Sequence, residues 1–415
     1  MERIQAECCV VGGGPAGMML GFLLARAGIQ TVVLEKHADF LRDFRGDTIH
    51  PSTLQLMHEL GILERFLLRP HQEVTELLGV VGGEEIPVAD FSHLPTNCKF
   101  LAFMPQWDFL DFIADEASRY PAFHLHMQWE VNELIEEQGQ VVGVRAVSPS
   151  GTVEVRAPLV VACDGRSSTV RSLAGFKVQQ IGAPMDVLWM RISRSPSDPE
   201  HVMGRFDRGR ILAMIFRGEY WQCGFVIPKG GYDDLKIRGI EAFRKEIVEI
   251  APFLQDRVQE LKTWDDIRLL TVAVDRLETW HRPGLLLIGD AAHAMSPVGG
   301  VGINLAIQDA VAAANLLVEP LQTGLLTDSG LAKVQTRRQF PTKVTQWMQV
   351  QIQNQVIGNV LGSDHQIEPP WPLELLQRFG VLRRLPARLI GLGVRPEHIR
   401  TPDVGIAEKL PNHEA

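Results

Sequence analysis

Residues 7–35 read ECCVVGGGPAGMMLGFLLARAGIQTVVLE. Residues 7–11 are short, apolar and run into three glycines, which suits a buried strand. Residues 15–27 have the length and spacing of a helix. Pro15 stands near its start, where a missing N–H costs nothing, and Gly28 follows its end as a C-cap. TVVLE at 31–35 is a second buried strand. The stretch therefore predicts one strand–helix–strand unit opening a parallel sheet, and an α/β fold. Its turn is a G-x-G-x-x-G built on Gly12, Gly14 and Gly17, with Pro15 and Ala16 between. Gly12 makes the tight turn, Gly14 admits a pyrophosphate close to the backbone, and Gly17 lets helix and strand pack closely. The anion then sits on the helix N-terminus, where free N–H groups and the dipole favour it. Glu35 lies eighteen residues after Gly17 (35 − 17) and is followed by Lys36. At the end of the second strand its carboxylate can accept hydrogen bonds from a ribose 2′-OH, and it argues against a 2′-phosphate there.

Outward from this unit, Pro51–Leu60 and Trp107–Arg119 have helical spacing, while 122–128, 141–147 and 152–156 read as strands. PLVVAC at 158–163 and GLLLIG at 284–289 are further buried strands. Between about 180 and 275 the segments DVLWMRIS, RILAMIF and WQCGFVI suggest a sheet with one packed face. A long helix is expected from Gly302 to Leu317, and a mostly helical pattern beyond Leu331, broken by EPPWP at 368–372. The chain reads as a Rossmann-like domain from 1–75, 100–180 and 270–340. A mostly β domain from 76–99 and 181–269 is inserted in it, and a helical C-terminal region occupies 341–415.

The chain has 415 residues, enough for two or three structural units at about 150 residues each. Net charge is 41 − 50 = −9 with no long Lys/Arg cluster, so nucleic acid is not expected as a partner. Five cysteines, an odd number without a C-x-x-C pair, give no disulfide framework. The amino terminus shows no signal-peptide pattern. The most apolar helix candidate, Leu305–Val318, contains Gln308, Asp309 and Asn315, so no membrane span is expected. A cytoplasmic, reduced protein is the expectation, as a monomer or homodimer.

Two more motifs carry chemistry. One is Cys163-Asp164-Gly165-Arg166 through Arg171, at the end of PLVVAC. The other is Gly289-Asp290-Ala291-Ala292-His293, followed by Ser296-Pro297-Val298-Gly299-Gly300-Val301-Gly302-Ile303-Asn304. Each is a buried strand ending in an acidic turn, where open α/β sheets bind ligands. The helix from Gly302 points positive N–H groups into that space. His124 and His126 share one face of a strand with no third ligand in sight, so no metal site is read.

Taken together, the three motifs resemble the flavoprotein aromatic hydroxylases, the single-component FAD monooxygenases typified by para-hydroxybenzoate hydroxylase. The resemblance runs over roughly residues 5 to 345. It implies FAD as cofactor and NADPH or NADH as co-substrate. It also implies O2 activation through a flavin C4a-hydroperoxide, and hydroxylation of an aromatic or polyketide-like small molecule. Gly12, Gly14 and Gly17 resemble the ADP-binding turn and Glu35 the ribose ligand. Arg45 is similar to an arginine that contacts FAD, with a surface ion-pair role as the alternative. Gln106 resembles a glutamine near the ribityl or phosphate, or simply caps its helix. Val131 sits where a family residue meets adenine through its backbone. Asp164 belongs to a segment implicated in FAD and NAD(P)H binding. Asp290 resembles the acid that holds the ribityl chain, and Gly302, Ile303 and Asn304 lie where backbone amides face the flavin pyrimidine edge. No side chain is read as a catalytic base, and His293 is taken as a structural histidine. Two other readings stay open: an FAD-dependent reductase acting on isoprenoid or other double bonds, and a non-catalytic flavin-binding redox protein. A halogenase is disfavoured, because W-x-W-x-I-P is missing; the nearest string, Trp221 to Pro228, lacks the second Trp.

Overall fold

The computed structural model describes residues 2–41, 48–199, 203–363 and 365–405. Its centre is a six-stranded sheet in the order 281–282, 285–287, 159–162, 8–11, 31–35, 123–127. All neighbours are parallel except the short antiparallel edge pair at 281–286. Every residue of Cys8–Val11, Thr31–Glu35, Leu159–Ala162 and Leu285–Leu287 is buried. These runs are continuous rather than alternating because both faces of a parallel sheet are covered. The helix Pro15–Arg26 packs on the helix Gly302–Gln322, which packs in turn on Asp328–Ile352. By length and composition Val298–Gln322 could cross a membrane, but 72% of its apolar window is buried inside the fold. It is the core helix of this layer.

A second sheet has seven strands, in the order 268–270, 185–193, 220–228, 210–216, 203–207, 76–81, 84–90. One face carries Leu188, Met190, Met214 and Phe225 against Phe243, Ile247 and Ile250. Those three lie on the helix Ile240–Ile250, which the sequence reading passed over. Their spacing of four and three residues was the available signal. The other face gathers Met185, Val187, Ile211 and Val226, with Trp189, Phe206 and Val298 half-buried and packed against them. The sheet therefore turns one face toward its own helix and the other toward the turn after residue 296.

The C-terminal region departs from the helical expectation after residue 391. Residues 384–391 form a helix despite Pro386, because Pro386 falls in the first turn, where its missing N–H leaves no bond unmade. Gly391 then lets this helix approach closely: a Cβ there would stand 2.7 Å from Leu94 Cδ1. Beyond it the helical pattern stops. Residues 393–405 run back over the first sheet domain as a strap. Val404 N–H donates to Arg26 O at 3.0 Å, and Ile399 N–H to Glu59 Oε2 at 2.9 Å. Glu397 pairs with Arg337 and Arg338.

Candidate functional site

The glycine turn is shaped by backbone contacts that exclude any larger residue at two of its three positions. Gly12 has φ +104°, and a Cβ on it would meet Cys163 O at 2.6 Å. A Cβ on Gly17 would stand 1.9 Å from Gly12 O. Gly14 differs: its φ is −76°, and the nearest atom to a Cβ there is 3.9 Å away. Among the described residues nothing in the packing demands glycine at 14, so its absent side chain keeps a cradle open above the helix N-terminus. Met18 N–H to Gly14 O is the first bond of the helix, at 2.9 Å. The amides of Ala16 and Gly17 therefore lead it and face the cradle. Pro15 is the first helical residue and Ala16 is buried behind it.

Glu35 is buried at the end of its strand. Its Oε2 accepts from Gly13 N–H at 2.8 Å and its Oε1 from His37 N–H at 3.0 Å. The carboxylate thus stands against the glycine turn, while Lys36 is exposed. Trp129 N–H donates to Glu35 O and Gln128 N–H to His37 O, both at 2.9 Å. These bonds lace the chain just before buried Val131 to the same strand end. Gln106 is the first residue of the helix Gln106–Ala117, and no side chain caps that helix. Arg45 lies outside the described residues.

Asp164 works on its own turn. Its Oδ1 accepts from Ser168 Oγ at 2.5 Å and its Oδ2 from Val170 N–H at 3.1 Å. Burial raises its pKa and these bonds oppose the rise. Asp290 stands in the neighbouring turn Gly289–Ala291, about one-third exposed, with Arg166 Nη2 at 3.8 Å from its Oδ2. Arg166 thereby joins two motifs that are 124 residues apart (290 − 166).

The amino end of the helix Gly302–Gln322 is fixed by Asn304. Its Oδ1 accepts from His50 N–H at 2.9 Å and from Thr53 Oγ1 at 2.7 Å. Its Nδ2 donates to Thr48 O at 3.0 Å and Gly300 O at 3.5 Å. The side chain is therefore a fastener. Leu305 N–H to Val301 O is the first bond of the helix, so the amides of Gly302, Ile303 and Asn304 lead it. Gly300 has φ +62°, and a Cβ on it would meet Thr48 Oγ1 at 2.4 Å.

Sequence reasoning missed three glutamines that hold this turn from behind. Gln346 Nε2 donates to Asp275 O and Ala294 O, and Gln349 Nε2 to Ser296 O and Val298 O. Gln353 Nε2 donates to Ser296 Oγ. They recur at i, i+3 and i+7 along the helix Asp328–Ile352 and its C-cap, a legible period in a polar residue type. His293 is buried with Nε2 2.5 Å from Asp309 Oδ2, which places it in the core. His126 stacks on Trp129 at 4.2 Å between centroids. Among the described residues no three His, Cys, Asp or Glu side chains are grouped to hold a metal.

A cradle over a helix N-terminus, a buried acid beside it, and a second N-terminus on the helix packed against the first fit a dinucleotide cofactor. Residues 5–348 match the family described as FAD binding domain.

The chain belongs to that family.

Its FAD-binding fold also relates it to proteins of known activity. Over 351 residues it is 36% identical to 6-methylpretetramide 4-monooxygenase of Streptomyces rimosus, covering 84% of each chain. It is 29% identical to rifampicin monooxygenase of Streptomyces venezuelae, covering 73% of this chain and 62% of that one. Among solved structures, p-nitrophenol 4-monooxygenase PnpA of Pseudomonas putida DLL-E4 aligns with a TM-score of 0.74 at 20% identity. That alignment covers 95% of this chain and 100% of PnpA. The resemblance to the flavoprotein aromatic hydroxylases thus holds in sequence, and the PnpA likeness extends it to the fold.

Proposed function

We propose that this FAD-binding protein is a monooxygenase that uses NADPH or NADH and O2 to hydroxylate an aromatic or polyketide-like small molecule. The observation that carries the reading is the Gly14 cradle, open where Gly12 and Gly17 are closed, on a chain 36% identical to 6-methylpretetramide 4-monooxygenase. When bound, FAD supplies the redox and oxygen chemistry that side chains lack.

The residues here bind, orient and exclude water. The amides of Ala16 and Gly17 would take the pyrophosphate, and Glu35 the adenosine ribose. Asp290 would take the ribityl chain. The leading amides of Gly302, Ile303 and Asn304 would face the pyrimidine edge, where the helix dipole favours negative charge. Trp189, Phe206 and Val298 offer an apolar floor on which a flat substrate can lie.

The test is mass spectrometry of product formed under 18O2 from a panel of phenols and polyketide-like aromatics, with NADH and NADPH in parallel. One 18O atom per product is expected. A reduced product without label would favour an FAD-dependent reductase. NAD(P)H oxidation that never yields an oxygenated product from any compound would reject the reading.

A further inference from the structure

Between residues 371 and 391 six large apolar side chains stand in water. The helices Trp371–Arg378 and Arg384–Gly391, and the turn Gly380–Arg383 between them, pack along the edge strand Glu84–Asp90 of the seven-stranded sheet. Ala387 and Gly391 form the inward side, against Phe91 and Leu94. The outward side carries Trp371, Leu375 and Phe379, spaced i, i+4 and i+8, and then Val381, Leu382 and Leu385. Trp371 is 71% exposed, Val381 68% and Leu385 66%, and the other three are exposed as well. Arg383 ties the turn to the first helix, donating from Nε to Leu376 O at 2.8 Å and from Nη2 to Gln377 O at 3.0 Å.

The same stretch is basic on an acidic chain. It holds four arginines and one carboxylate, Glu374, a balance of 4 − 1 = +3 where the whole chain carries −9. Arg378, Arg384 and Arg388 are exposed. Arg378 lies over the Phe379 ring at 5.5 Å. Arg384 Nη2 donates to His93 Nε2 at 3.2 Å, and that nitrogen is 3.4 Å from Asp90 Oδ2. Among the described residues no carboxylate stands within ion-pair distance of these three guanidinium groups. Arg384, Leu385 and Arg388 share the outward side of one helical turn, so charge and apolar surface occupy the same face.

A contiguous exposed apolar patch marks a surface that something else covers, and the arginines decide what. A protein interface expels unpaired charge from its core, and would need a carboxylate fixed opposite each guanidinium. A second copy apposed by a two-fold axis would set arginine against arginine, with Glu374 alone to offset them. The headgroups of an anionic bilayer are mobile and meet each guanidinium where it stands. Trp and Leu side chains then enter the acyl boundary, and the arginine stems run along them. We propose that residues 371–391 are a peripheral binding surface for an anionic lipid bilayer, lying on the membrane without crossing it. The surface goes beyond the proposed oxygenation and needs neither substrate nor turnover.

The experiment is co-sedimentation of the FAD-loaded full chain with vesicles of phosphatidylcholine and phosphatidylglycerol mixed two to one, and with phosphatidylcholine alone. The chain should pellet with the mixed vesicles. Its partition should fall about tenfold or more on phosphatidylcholine alone, and likewise at high salt. Each arginine near an anionic surface contributes about fivefold, so Arg378→Gln, Arg384→Gln and Arg388→Gln together should weaken binding about a hundredfold. Trp371→Ser and Leu385→Ser should each weaken it about tenfold. All five side chains are exposed, so the variants should keep their yellow colour and Tm. Should one misfold, the other variants and the lipid and salt arms decide. A wild-type chain that ignores the mixed vesicles would overturn the proposal and leave the patch to a protein partner. Binding that neither the arginine set nor the apolar variants change would overturn it too. Sedimentation velocity tests the second copy: a wild-type dimer that Leu385→Ser converts to monomer, without vesicle binding, would assign the patch to self-association and overturn the proposal.

Discussion

Nε2 of His293 stands 2.5 Å from Oδ2 of Asp309, and both side chains are buried. The same carboxylate accepts from Gly289 N–H at 3.1 Å and from Arg338 Nε at 2.8 Å. One acid thus ties the GDAAH turn, the helix Gly302–Gln322 and the helix Asp328–Ile352 together. Burial alone would raise its pKa, but His293 and Arg338 outweigh burial and hold it below the usual carboxylate range.

Asp309→Asn should therefore destabilise the protein by about 3–5 kcal/mol, the cost of leaving one partner of a buried pair uncompensated. Urea denaturation followed by circular dichroism measures this, and an unchanged midpoint would contradict it. The pH dependence has a definite sign. A carboxyl with a depressed folded pKa contributes stability that is present above its unfolded value, near 3.9, and is lost as pH falls toward the folded one. The wild type should lose more stability than Asp309→Asn in that acid window.

Gly14→Val and Gly17→Val should fail in different ways. A Cβ at 14 has 3.9 Å of clearance, so that variant folds but fills the cradle and purifies without yellow colour. A Cβ at 17 collides with Gly12 O at 1.9 Å, so that variant unfolds at lower temperature or does not accumulate. Full flavin occupancy in Gly14→Val would remove the turn from the cofactor site.

Asn304→Leu keeps the volume and removes the fastener. His50 N–H, Thr53 Oγ1 and Thr48 O would then lose buried partners, at roughly 1–3 kcal/mol each if left unpaired. Thermal denaturation should show a lower Tm, and flavin affinity should fall with it because the amides of 302–304 lose their anchor. An affinity that holds while Tm drops would show that those amides do not touch the cofactor.

Asp290→Ala should weaken FAD by roughly 1–3 kcal/mol, the range for a hydrogen bond to a charged group. Asp290 is about one-third exposed at a turn surface, so the fold should survive. Fluorescence titration of the stripped protein with FAD gives the dissociation constant, and no change would take Asp290 out of the site.

Residues 7–35 were sufficient in sequence for the strand, the turn, the helix and the second strand, because each rests on neighbours within a few positions. Helix periods, apolar strand runs and the backbone freedom of glycine are local properties. The sheet order 285, 159, 8, 31, 123 could not be read that way, since it depends on which buried runs meet across more than a hundred residues. The same limit governs side chains. Asn304 reads as a residue of a cofactor motif, and tertiary structure alone reveals its partners at Thr48, His50 and Thr53. Asp164 reads as a ligand candidate, and the structure adds that its oxygens also accept from Ser168 Oγ and Val170 N–H. Whether a polar group is free for chemistry or committed to the fold depends on burial and on distant partners. The strap at 393–405 and its Glu397 contacts, decided by two arginines sixty and fifty-nine positions earlier (397 − 337, 397 − 338), left no local pattern to read.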